Sequence, residues 1–144
     1  MSRVLMAVRC PDATPLGPAT LHGWRFIIGA EGYASMVRQP GGVIYGVLWR
    51  LTPRDLAAVN AYERVDDGLY LRRIVPVRHR ANIVPALAYI LRRGGEGRPR
   101  PAYIDLVEAA AREWALPQSY INALRRWSPS RSGGTRARDV GEIG

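Results

Sequence analysis

The chain of 144 residues contains no lysine; all 21 of its basic residues are arginine. It has one cysteine, Cys10, and two histidines, His22 and His79. A lone cysteine excludes an internal disulfide framework and suits a reducing, cytoplasmic setting. Neither histidine has a partner at ligand spacing, so the sequence offers no metal centre, and nothing in it calls for a cofactor. No stretch approaches the roughly 20 apolar residues of a membrane helix. The apolar start, Val4-Leu5-Met6, is too short and too soon broken by Arg9 to read as a signal peptide. No internal repeat is visible.

Twelve acidic residues leave a net charge of +9, which by itself points toward nucleic acid. The arginines, however, are spread over the whole chain, paired or alternating with apolar residues, as in Arg50, Arg72, Arg73, Arg78 and Arg80. There is no block of five or six like charges, no RNP-like aromatic strand and no helix-turn-helix spacing. The same field would draw in a small anionic substrate. The sequence is therefore read as having neither a nucleic-acid nor a membrane partner, and oligomeric state leaves no mark in it.

With 47% hydrophobic and 23% charged residues, the chain fits one ordinary globular domain, large enough for a core. The pattern predicts a short helix over Met1–Val8, a strand over Ala19–Ile28 bent at Gly23, and a short strand over Tyr33–Arg38. Pro40-Gly41-Gly42 is a strong turn signal, and Val43–Leu51 reads as a central strand. Thr52 is a good N-cap with Pro53 at the first helical position and Asp55 in the first turn. Leu56 and Val59 then recur at helical spacing up to Glu63. Asp66-Asp67-Gly68 turns the chain into a strand over Leu69–Arg78, in which Pro76 argues for an edge or bulge. Ile83–Arg92 is the fifth strand, and Gly94–Pro101 is a flexible link. Tyr103, Leu106, Val107, Ala110 and Trp114 share one helical face, and a shorter helix carries Tyr120, Ile121, Leu124 and Trp127. The composition of 128–144 is that of a disordered tail. Strands first, with helices inserted and appended, make an α+β domain over 1–127.

One residue in this order has chemical promise. Glu63 ends a helix that leads off an apolar strand and precedes a strand opening on Tyr70, which can set a carboxylate at the mouth of a sheet. Apolar surroundings would raise its pKa toward working pH, as a proton-transfer catalyst requires. On chemistry alone, a Glu in the last turn of a helix is more often a solvated surface residue.

A series of pieces then stands in order: Gly32-Tyr33-Ala34-Ser35-Met36, Val43-Ile44-Tyr45-Gly46-Val47-Leu48-Trp49-Arg50-Leu51, Glu63-Arg64-Val65, Gly68-Leu69-Tyr70, Ala88-Tyr89-Ile90, Tyr103-Ile104-Asp105-Leu106 and Leu116-Pro117-Gln118-Ser119-Tyr120. Together they resemble the γ-glutamylcyclotransferase (AIG2-like) family from about Met1 to Trp127. The resemblance implies a small mixed β-barrel of about five strands with flanking helices. It implies cyclisation of a γ-glutamyl amine or amino acid to 5-oxoproline, with release of the amine and no cofactor. By position Glu63 looks like the family's acid/base. Tyr70 and Tyr89 look like pocket tyrosines, and Tyr33, Ala34 and Ser35 fall in the substrate-binding set. Barrel-filling aromatics are the competing reading of Tyr70 and Tyr89.

Two departures bear on activity. The family's Tyr-Gly-Ser-Asn strand and loop are absent, so a first strand is expected to be missing, a sheet edge exposed, and the chain as given less stable and far less active than a version extended upstream by that strand and loop. A non-catalytic or vestigial binding domain is therefore the alternative function. Arg64 also replaces the glycine that follows the acid. Either Arg64 is strained at a positive φ, or its guanidinium lies near Glu63 and lowers that acid's pKa.

Overall fold

The computed structural model describes residues 3–92 and 95–128. Four strands and four helices run in the order α1 (Arg3–Arg9), β1 (Thr14–Ile28), β2 (Ala34–Arg50), α2 (Pro53–Tyr62), β3 (Tyr70–His79), β4 (Asn82–Leu91), α3 (Tyr103–Glu113) and α4 (Gln118–Arg125). The α+β class is as expected. The strands form one four-stranded sheet in the order β2-β1-β3-β4, every pair antiparallel. The sheet is thus neither mixed nor closed into a barrel, because no ladder joins β2 to β4 among the described residues. Among the described residues one hydrogen bond bridges those edges: the Leu91 N–H donates to Ser35 Oγ at 3.0 Å.

Four strands replace the expected five because Pro40-Gly41-Gly42 does not end a strand. β1 pairs His22 with Val43 and Trp24 with Arg38, so residues 39–42 fold out as a bulge opposite Gly23 and the ladder resumes beyond them. Gly41 takes φ +78° and Gly23 φ +86°, which suits glycine. At Gly42 a Cβ would stand 2.6 Å from the Trp24 carbonyl oxygen. The turn chemistry was legible, but a long hairpin absorbs it as a bend. β1 also starts five residues earlier than its hydrophobic pattern suggests, with a register shift between Pro15 and Gly17.

Pro76 lies neither on an edge strand nor at a bulge, since β3 sits between β1 and β4 and its register to β4 is unbroken. It stands opposite Pro85, and two residues without N–H groups can face each other only as a non-hydrogen-bonded pair. β3 meets β1 in the ladder only at Thr20–Arg78, so most of its other side is free of ladder bonds.

Two clusters make the core. Leu21 and Trp24 of β1 pack with Val75 and Val77 of β3, with Met36, Ile44 and Leu48 against them. Ala111, Leu116, Ile121 and Leu124 join α3 and α4 to Phe26 and Tyr45 of the β1–β2 hairpin. Glu108 holds Arg112 and Arg125 together, tying α3 to α4. α1 departs from expectation: Val4 and Val8 of its apolar stripe are exposed.

The link after β4 is held rather than loose over its described part. The Gly97 N–H donates to the Ile28 carbonyl at 2.9 Å, and the Arg100 N–H to that of Gly32 at 3.2 Å. A Cβ on Gly97 would come within 2.5 Å of the Gly29 carbonyl oxygen, so the crossing requires glycine there. The tail expected over 128–144 lies, beyond Ser128, outside the described residues.

Candidate active site

α2 is built to deliver its last residue accurately. The Thr52 hydroxyl accepts the Asp55 N–H at 3.1 Å, and the Asp55 carboxylate accepts the Thr52 N–H at 3.3 Å, a complete capping box with Pro53 behind it. Asp55 is fully buried, and its carbonyl receives the buried Cys10 thiol at 3.7 Å, which fastens the helix start to the end of α1. Glu63 is the C-cap of α2, with its N–H on the Val59 carbonyl at 2.8 Å. The chain then turns through Arg64 at φ +51°.

The Glu63 side chain is half-buried, and its carboxyl accepts no hydrogen bond among the described residues. Burial raises its pKa, and the Arg9 guanidinium works against that rise. Tyr70, Tyr89 and Tyr103 all feel the Glu63 charge, which adds to the burial that raises each phenol. The fourth ring, Tyr62, lies beside Glu63 in sequence. Its hydroxyl accepts from Arg9 Nη2 at 2.8 Å, with the guanidinium 3.6 Å from the ring centre.

Tyr70 and Tyr89 share one face of the β3–β4 ladder, where Tyr70 opposes Leu91 and Arg72 opposes Tyr89. Both hydroxyls are committed. Tyr70 donates to the Ala34 carbonyl at 3.1 Å, and Tyr89 to Asn60 Oδ1 at 2.6 Å. Neither reaches Glu63 by a hydrogen bond, so each ties a strand to its neighbour: Tyr70 holds the start of β2, and Tyr89 holds α2 one turn before Glu63. Their lone pairs remain, but their protons are spent.

The three neighbouring residues assigned to substrate binding fare differently. The Tyr33 ring packs edge-on to Tyr103 with centroids 5.6 Å apart, and Arg100 lies over its other side at 4.7 Å. Both backbone groups of Ala34 are used, the carbonyl by Tyr70 and the N–H by Tyr103 Oη at 3.2 Å. The buried Ser35 oxygen accepts the Leu91 N–H. Arg64, the second departure, adopts the strained alternative: its φ is positive and its guanidinium pairs with Asp67 at 3.1 Å instead of turning to Glu63.

Arg9, Asn60, Tyr62 and Tyr103 complete the surroundings of Glu63, and none was singled out from the sequence as a site residue. Tyr103 was legible as one residue of an apolar helical face and of the family piece Tyr103-Ile104-Asp105-Leu106, but not as a site residue. The other three carry no local signal.

Beside the site lies an apolar cavity of about 830 Å³ between β2, β4 and the first two helices. Leu56 and Val59 line it, and Glu63 follows them on the same face of α2, at helical spacing. Tyr89 lines it from the sheet side.

The pattern of the AIG2-like family matches residues 43–124, more than half of the chain. The chain is 25% identical over 113 residues to the γ-glutamylcyclotransferase of Mus musculus and 24% identical over the same length to that of Homo sapiens. Each match covers 78% of this chain, and the chain spans only 60% of the length of each relative. A solved γ-glutamyl cyclotransferase superposes with a TM-score of 0.81 at 21% identity, covering 97% of this chain and 89% of that one. YkqA from Bacillus subtilis superposes with a TM-score of 0.73 at 23% identity, over 86% of this chain and 47% of its own. At these identities the structures speak for the fold.

Proposed function

The chain belongs to the AIG2-like family, and from that membership and the setting of Glu63 we propose that it catalyses a γ-glutamylcyclotransferase reaction. The observation that carries the reading is a half-buried carboxyl, raised by burial, whose charge is felt by Tyr70, Tyr89 and Tyr103, at the end of a capped helix. Relatives named γ-glutamylcyclotransferase at about a quarter identity support it.

The chemistry asks little of the protein. The substrate's own α-amino group attacks its γ-carbonyl carbon, a C–N bond forms in a five-membered ring, and the γ-amide C–N bond breaks. Holding the folded conformer supplies much of the acceleration. Glu63 takes the proton from the attacking amine and returns it to the leaving amine, giving 5-oxoproline and a free amine. A carboxyl raised by burial serves both steps, since its charged form is a better base and its neutral form survives long enough to donate.

The test is release of 5-oxoproline from γ-glutamyl amino acids and amides by wild type and by Glu63→Gln. The substitution keeps the size and removes the proton exchange, so turnover should fall about 10²–10⁴-fold in a protein that still melts cooperatively. A folded Glu63→Gln protein retaining more than a tenth of the rate removes Glu63 from the mechanism.

One observation favours a second reading, a binding domain without turnover. The Ala34 N–H is occupied by Tyr103, and the phenol protons of Tyr70 and Tyr89 are bonded within the chain. That leaves few free donors for an oxyanion. Calorimetric binding of a γ-glutamyl amide without any 5-oxoproline release would select this reading over the first.

A further inference from the structure

The β3–β4 hairpin carries a surface that the catalytic reading leaves unused. Its register puts Arg72, Ile74, Pro76 and Arg78 on the same face as Leu87, Pro85 and Ile83. At one end of this face Tyr89 is tied to α2. Beyond that point Ile74 is 65% exposed and Ile83 57%, while Leu87, 36% exposed, and Pro85 also border the apolar cavity. Both prolines, Arg72, Arg78 and the turn residue Arg80 are exposed as well. Between Tyr70 and Leu91 there is no acidic residue, and none of these three arginines is in an ion pair among the described residues.

An aliphatic stripe flanked by unpaired cations constrains its partner. Single-stranded nucleic acid would need exposed aromatic rings for base stacking, and the exposed centre of this face is aliphatic. If this face met the same face of a second copy in a two-fold contact, every charge brought together would be an arginine, like charge on like. Strand addition along β4 is discouraged by Pro85, which has no N–H to offer. An anionic bilayer surface satisfies both parts of the pattern. Aliphatic side chains enter the boundary between headgroups and acyl chains, while guanidinium groups bind lipid phosphates from the rim.

We propose that the outer face of the β3–β4 hairpin docks this protein on an anionic lipid surface. The positive charge that looks scattered along the chain is, on this hairpin, gathered around an apolar centre, and it complements the negative surface of the membrane.

Vesicle flotation of the full chain tests this. Phosphatidylcholine vesicles are compared with vesicles that also hold about 30 mol % phosphatidylserine, a strongly anionic surface. Binding is expected to the anionic vesicles and not to the neutral ones, and soluble glycerophosphoserine should not displace it. Ile74→Ser with Ile83→Ser should lower the partition about tenfold or more, because the buried aliphatic groups are lost. Arg72→Gln with Arg78→Gln should lower it about fivefold per charge removed. All four positions are exposed, and a thermal melt of each double variant checks that it remains folded. Equal binding to both vesicle types would overturn the proposal. So would anionic binding that the isoleucine substitutions leave unchanged, since net charge alone would then explain it. Displacement by glycerophosphoserine would reduce the face to a headgroup site. Self-association abolished by the isoleucine substitutions, or RNA binding without vesicle binding, would assign the face to another partner.

Discussion

Glu63 and Arg64 are adjacent in the chain and show opposite behaviour. Glu63 is a carboxyl whose folded-state pKa is raised, chiefly by burial. The folded chain therefore holds that proton more tightly than the unfolded chain does. Stability from this residue is full below the ordinary value of 4.5 and is lost as pH rises through the raised value. Glu63→Gln removes the titration. In urea melts across pH 4–8 (about that range) the variant should match wild type at the acid end and gain on it as pH rises. A difference that shrinks with rising pH would mean that Arg9 dominates and the acid is held charged. Arg64 carries strain instead. A left-handed conformation costs a non-glycine residue roughly 1–2 kcal/mol, and its exposed pair with Asp67 returns little. Arg64→Val, β-branched at a positive φ, should destabilise by about 2 kcal/mol, whereas Arg64→Gly should be neutral or stabilising by up to about 1 kcal/mol. Equilibrium denaturation of the two variants decides whether the turn after the acid is strained as described.

Among the elements, α2 has the most exposed responsibility. It places Glu63, Asn60 and Val59 on the site, and its start is held by the Thr52–Asp55 capping box and by Cys10 on the Asp55 carbonyl. Thr52→Ala should cost about 1 kcal/mol, the usual worth of such a cap. Because the helix end carries the acid, turnover should fall further than stability alone explains at a temperature where the variant is fully folded. Rates unchanged at saturating substrate would show that α2 is positioned from its C-terminal end, through Tyr89 and Asn60. The β1–β2 hairpin gives the complementary lesson. Its proline and glycines mark a break in the local pattern, and the long ladder on both sides converts that break into a bulge. Ladder bonds on either flank outweigh one local turn.

At the scale of the whole molecule, the sheet curls far enough for Ser35 to reach Leu91 at one end while the other end stays open around the 830 Å³ cavity. Its wall is mostly aliphatic, so the folded chain should bind a small apolar dye, with fluorescence that disappears on unfolding. A folded chain that leaves such a dye dark would show that the cavity collapses in solution. No helix among the described residues is long and apolar enough to cross a membrane, which is compatible with docking by a sheet face.

Local order was legible in advance because it is written locally. Thr52-Pro53 and Asp55 announce a helix start whatever surrounds them, alternation marks β3 and β4, and the spacing from that helix start puts Glu63 at its end. The family pieces stand in chain order, so they too could be read without coordinates. Of what surrounds Glu63, only Tyr70 and Tyr89 could be named in advance, from those family pieces. Arg9, Asn60, Tyr70, Tyr89 and Tyr103 come from five separated segments, and they meet only through the curl of the sheet and the docking of α2. Desolvation, which raises the Glu63 pKa, belongs to that gathering and not to the residue. The same holds for the arginines: their spacing along the chain looks random, and the antiparallel register alone decides which of them share a face with Ile74 and Ile83. Short-range periodicity and capping are properties of a few neighbouring residues, whereas burial, charge pairing and surface pattern depend on which distant segments the fold brings together.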